Sequence, residues 1–135
     1  MELDHARTFV SENHTAVMVT FRRDGRPQTS VVACGVDGGG RVVVSTTETA
    51  VKTRNLRRDP RVSLCVLAAD FRAWIQVDGQ AEVVSLPEAM EGLVDYYRRV
   101  AGEHPDWDDY RAAMERDRRV LVRIHLERAG PDRHG

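Results

Sequence analysis

An antiparallel β-barrel, closed or half-closed and carrying short helices between its strands, is the fold that this sequence predicts. Three observations point there. Six runs rich in β-forming residues follow one another along 135 residues. Glycine, proline and aspartate punctuate them at hairpin spacing, and helical apolar periodicity is confined to short stretches between them.

Asp4 is placed to cap a first helix whose apolar positions Ala6, Phe9 and Val10 follow a 3-4 spacing. Thr15 to Phe21 is the first strand. Asp24-Gly25 carries the hairpin signal, and Gln28 to Val36 reads as the return strand. Gly38-Gly39-Gly40 reverses the chain again before a third strand, Arg41 to Thr47. A short basic helix follows and ends at Asp59-Pro60, because a residue before proline is pushed out of the α region.

Strand four covers Arg61 to Ala68. Strand five, Ala73 to Ser85, has Asp78-Gly79 in its middle, the mark of a bulge rather than a turn. Leu86-Pro87-Glu88 opens a helix with Met90, Leu93, Val94, Tyr97 and Val100 on one face. Pro105-Asp106 opens another with Trp107, Tyr110, Ala113 and Met114. In the last strand Val120, Val122, Ile124 and Leu126 alternate with Arg123, His125 and Glu127. One domain over residues 1–135 is expected, with a fraying polar tail from Gly130 to Gly135.

Composition narrows the function classes. Apolar residues make up 41% and charged residues 30% of the chain, with a net charge of −1, so no general nucleic-acid or acidic-membrane surface is expected. No apolar run approaches the length of a membrane span, and Met1 to His5 has no secretory pattern, so the cytoplasm is the expected location. Cys34 and Cys65 lie in apolar runs without metal spacing and read as small buried thiols. The five histidines are scattered, so no metal site is expected.

Against nineteen arginines the chain has one lysine, Lys52. It lies where the hydroxyl-rich strand end Ser45-Thr46-Thr47 leads into the basic helix. Helix N-terminal amides attract anions and an ammonium adds a compact charge, so the segment suits a phosphate. A solvated basic helix between two strands is the competing explanation.

The order of these elements resembles the split β-barrel flavin-binding superfamily, which includes pyridoxamine 5′-phosphate oxidases and actinobacterial deazaflavin-dependent reductases. Three stretches carry the resemblance across residues 4 to 128. Asp24-Gly25-Arg26-Pro27-Gln28-Thr29-Ser30 is similar to the family's lead into its second strand. Lys52 to Leu64 is similar to its phosphate-binding lysine helix and Asp-Pro-Arg-Val-Ser-Leu strand entry. Ala101 to Arg111, with Asp117 to Leu121, is closest to the subgroup that uses the deazaflavin coenzyme F420. Serine at position 30, where true pyridoxamine phosphate oxidases carry a nearby arginine, and the ordinary strand before Gly135 argue against vitamin B6 oxidation. Ala50, where several relatives are polar or basic, removes one phosphate contact.

The resemblance implies an F420-dependent reductase acting on a small unsaturated or quinone-like organic substrate. FMN is the alternative cofactor, and a non-catalytic flavin- or heme-binding protein is the alternative class. Lys52 would meet the phosphate, helped by Ser45, Thr46 and the amides near Val51; Asn55 would either reach the same anion or serve in capping and packing. The ring would lie along Pro27, Gln28, Ser30, Val31 and Val32. Trp74 would cover it from the second subunit of a homodimer, or belong to core or interface. Arg54, Arg57, Arg58 and Arg61 would meet the oligoglutamate tail or stay solvated. Trp107 and Tyr110 are expected to pack helices. No protein acid or base is expected, since the cofactor carries the hydride.

Overall fold

The computed structural model describes residues 1–131 and the backbone of 133 and 134. Eight strands and four helices follow in the order α1 (Leu3–Glu12), β1 (Thr15–Phe21), β2 (Pro27–Ala33), β3 (Gly35–Val36), β4 (Val42–Thr47), α2 (Val51–Arg58), β5 (Arg61–Leu67), β6 (Ala73–Val84), α3 (Met90–Ala101), α4 (Trp107–Arg116), β7 (Arg119–Ala129) and β8 (Arg133–His134). All pairings are antiparallel, in the order β2-β1-β5-β6-β7-β4-β3, with β8 on β6.

The first and last members of that order are one run of chain. The return strand expected over Gln28 to Val36 breaks at Cys34, whose N–H bonds the His14 carbonyl. Before the break the run pairs with β1, and after it with β4. The sheet therefore curls round to meet itself at a single bend, a split barrel. That change of partner, with the short β8, turns the expected six strands into eight.

Even-numbered residues of β1 and β5 point inward. Ala16, Met18, Val62, Leu64 and Val66 meet Val42, Val44, Ile75, Val77, Val122 and Ile124 there, as period-two alternation requires. A second cluster lies outside, where Val43 and Leu121 are covered by Ala89, Leu93 and Val94 of the α3 region and Tyr110 of α4. Trp107 and Tyr110 pack edge-on against Tyr97. Burial pushes the Cys34 thiol up to about 12, whereas Cys65 is only half-buried, on the outer face of the sheet.

Three expected boundaries shift. Glu2, not Asp4, occupies the α1 N-cap; Asp4 lies in the first turn and pairs with Arg7 at 2.7 Å. Helix α3 starts at Met90 rather than Leu86, since the Pro87 region forms a turn closed by Ala89 N–H to Ser85 O at 3.0 Å. The bulge falls at Asp78/Gly79 as expected; a Cβ on Gly79 would collide with the His125 carbonyl. Within the tail expected to fray, Arg133–His134 pair with Ala73 and Trp74, while Asp132 and Gly135 lie outside the described residues.

Candidate functional site

The bend at Cys34 leaves two strand edges without strand partners. β2 pairs with β1 on one side only. β4 meets β3 at Val42 and Val43 alone, so the edge from Val44 to Thr47 is free on that side. The edges diverge from Cys34 and bound a slot whose walls are backbone donors and acceptors. Such a slot suits a flat ring with polar edges.

The sequence-predicted residues fall around this slot in a graded way. Ser30 turns its Oγ inward, where it is buried without a hydrogen-bond partner among the described residues. Val32 is buried at 9% exposure and Val31 stands out at 74%, while Pro27 is exposed and Gln28 half-buried. Across the slot Ser45 is half-buried and Thr46 buried.

Helix α2 spans the open end. Its first turn is fastened to β4 by Thr53 Oγ1, which donates to the Thr47 carbonyl at 2.6 Å. Its second turn is fastened to β1 by Asn55 Nδ2, which donates to Thr20 Oγ1 at 3.1 Å. Ala50 is the N-cap and supplies no side-chain acceptor, and the first intrahelical bond runs from Arg54 N–H to Ala50 O at 3.2 Å. The amides of Val51, Lys52 and Thr53 therefore point out of the helix uncapped, an anion-binding arrangement. Lys52 is half-buried on the flank of the helix, one turn before Leu56, and has no ion-pair partner among the described residues. An uncapped helix N-terminus and an unpaired ammonium beside it attract anions.

Asn55 is different. It is 4% exposed, and its carbonyl oxygen accepts from Arg58 Nη2 at 2.9 Å while its amide holds Thr20. The structure thus shows it tying α2 to the barrel.

Beside α2 lies a cavity of about 570 Å³ lined by Arg23, Val51, Arg54, Asn55, Arg57 and Arg58. Three of the four arginines singled out in the sequence reach it. Arg61 does not: it clamps Asp59 at 2.7 Å and stacks on Phe21, and the guanidinium holds the Asp59 carboxyl below its usual range. Arg57 is bound to Glu48 and Ser85.

Two residues escaped the sequence. Arg23 sits in the β1–β2 turn, where the Asp-Gly signal explains the segment without it. Tyr96 donates its hydroxyl to the Ala33 carbonyl at 2.9 Å, so it ties α3 to the end of β2 beside the bend. Burial pushes its phenol above the ordinary value. The 3-4 stripe of α3 claims its neighbour Tyr97, and only a second tyrosine beside that stripe signalled it.

Within one chain the structure does not bring Trp74 to this group. Trp74 pairs with Leu67 at one end of the β5–β6 ladder, whereas Arg61, just after α2, pairs with Gln80 at the other. Six residue steps at about 3.3 Å put them about 20 Å apart.

Known proteins are similar to this chain in sequence and in fold. The F420H(2)-dependent biliverdin reductase of Mycobacterium tuberculosis (strain CDC 1551 / Oshkosh) is 28% identical over 127 residues, 93% of this chain and 84% of that protein. The crystal structure of conserved hypothetical protein Rv2991 from Mycobacterium tuberculosis superposes with a TM-score of 0.78 at 29% identity, covering 96% of this chain and 82% of that one. A structure described as F420 Reductase superposes with a TM-score of 0.71 at 20% identity, covering 92% and 94%. Residues 3–130 match the family described as Pyridoxamine 5'-phosphate oxidase, and the chain belongs to that family.

Proposed function

We propose that this protein is a cytoplasmic F420-dependent reductase that passes hydride from the reduced deazaflavin to a small unsaturated or quinone-like organic molecule. The observation that carries the proposal is the slot itself, open between two strand edges and ending at an uncapped helix with Lys52 beside it. The choice of deazaflavin over FMN is supported by the similar biliverdin reductase, whose name states F420H(2) dependence.

When bound, the cofactor would supply the hydride. The chain would do the rest by holding and orienting it. Lys52 and the Val51 and Lys52 amides would hold the phosphate, and Ser45 and Thr46 would close the strand end beside it. The backbone of Pro27 to Val32 would meet the ring edge, with Ser30 Oγ gaining the acceptor or donor it lacks. Arg23, Arg54, Arg57 and Arg58 surround a cavity suited to an anionic tail. No protein acid or base is assigned.

A homodimer would complete the site. The outward face of β2-β1-β5-β6 presents Val31, Val17, Val19, Cys65, Leu67 and Trp74 without a helix over it. Sheet faces of this kind are buried in stable proteins. Trp74 of the partner subunit would then cover the ring.

Titration of the purified protein with F420 and with FMN, followed by absorbance, tests the assignment. Saturable F420 binding with hydride exchange and little oxygen consumption is expected. Tight FMN retention with no F420 binding would replace the deazaflavin by FMN. Failure of both would leave a binding protein of another class.

A further inference from the structure

A second cationic cavity lies on another part of the molecule. It occupies about 310 Å³ between α3, the turn from β3 to β4, and the outward face of β7. Arg41, and Arg123 paired with Val43, belong to the opposite end of the β4 region from α2, since six residue steps separate Arg41 from Thr47, about 20 Å of strand.

Three guanidinium groups converge there. Arg41 is held through Nε by Asp37 Oδ2 at 2.9 Å, and Arg99 through Nε by Asp95 Oδ2 at 2.6 Å. Each keeps its terminal amino groups free of acceptors among the described residues. They face the glycine turn: Nη2 of Arg99 lies 3.8 Å from the Cβ position of Gly38, and Nη2 of Arg41 lies 3.5 Å from that of Gly39. Arg123 is the third. Its side chain is 24% exposed, its Nε is buried without a partner, and Glu82 stands off at 3.8 Å, shared with His125. Three cations thus face three carboxylates, Asp37, Asp95 and the more distant Glu82, and the Arg123 Nε–H is left without an acceptor.

Gly92 gives the cavity its shape. A Cβ there would come within 2.5 Å of Leu121 Cδ2 and 3.6 Å of Arg123 Nη2. Glycine inside a helix costs about 1 kcal/mol relative to alanine, and here it keeps α3 close to the sheet beside the Arg123 head. A buried N–H without an acceptor is destabilising, and an oxyanion offers acceptors to Arg123 and to the amino groups of Arg41 and Arg99.

We propose that this cavity is a binding site for a small molecule bearing a carboxylate or phosphate group, gripped by Arg123, Arg99 and Arg41. It is independent of the flavin assignment and uses none of its residues.

Calorimetric titration with inorganic phosphate and with succinate tests it, in chloride buffer free of other oxyanions. Saturable binding of one of the two is expected, and the tighter identifies the chemistry. Arg123→Met should weaken it by about 10- to 150-fold, the loss expected for a hydrogen-bonded charge. Arg99→Met, on an exposed helix position, should weaken it as well and covers the case in which the strand variant does not fold. An Arg54→Met/Arg58→Met double variant, which empties the α2 cavity of two cations, should bind as wild type. No saturable binding of either anion at millimolar concentration would overturn the proposal. So would binding that survives Arg99→Met and disappears in the α2 double variant.

Discussion

Asn55 Nδ2 donates to Thr20 Oγ1 across 3.1 Å, and with Arg58 Nη2, which donates to the Phe21 carbonyl at 2.7 Å, it ties the helix at the mouth of the slot to the first strand of the barrel. Thr20 passes the connection on, donating to Gln28 Oε1 at 3.2 Å. Helix, first strand and slot wall are therefore one polar chain, buried at Thr20 and Asn55.

Asn55→Ala leaves the Thr20 hydroxyl and the Arg58 guanidinium each short of a partner. The loss should be about 1–3 kcal/mol of unfolding free energy, read from urea denaturation. An unchanged midpoint would mean that the bond contributes nothing to holding α2.

Lys52→Ala should behave in the opposite way. An unpaired, half-buried lysine contributes little to stability, so the unfolding midpoint should stay. Cofactor affinity should fall by about 10- to 150-fold. Lys52→Arg should recover only part of it, because a planar fork does not replace a compact charge. Wild-type titration curves for Lys52→Ala would remove the phosphate site from this helix.

Tyr96→Phe keeps the ring and deletes the bond from α3 to the Ala33 carbonyl. The Cys34 amide at the bend, which bonds the His14 carbonyl, should then exchange with deuterium faster, while amides of the β6–β7 ladder keep their protection. Equal exchange at Cys34 in both proteins would show that the bend holds without the tyrosine.

Asp78 makes stability depend on acid. Burial would push its carboxyl up, yet bonds from Gln76, Ser63 and Arg128 outweigh that and hold it below the ordinary 3.8. A carboxyl lowered in the folded state adds stability that is present above 3.8 and is lost as pH falls through the lowered value. Asp78→Asn should flatten that acid limb, seen as urea midpoints that change less from neutral pH down to about pH 2. Parallel acid limbs in the two proteins would count against this role.

The strands and the Lys52 helix were legible because their signals are local. The β-forming run from Thr15 to Phe21 marks β1, and Asp59-Pro60 ends α2 with no help from the rest of the chain. The break at Cys34 was not legible. Val31-Val32-Ala33-Cys34 is uninterrupted β-forming sequence, and what changes there is the partner strand, β1 before and β4 after. The same holds for Tyr96, whose partner lies 63 positions away. Asn55 shows the reverse limit: its place on the helix was clear, but whether it faced an anion or Thr20 depended on where β1 packs.

The unfinished pairing at the bend also bears on how this protein stays apart from its neighbours. A bare strand edge is a template for another chain, and natural proteins cover or charge such edges to prevent sheet-to-sheet aggregation. Here the β2 edge and the last turn of β4 are left bare, and few of their own side chains guard them: Val31, 74% exposed, is apolar. A polar-edged ring lodged between them would occupy the same donors and acceptors that a stray strand would seek. A ligand bound there would act as the missing strand, shielding the two edges from a stray chain.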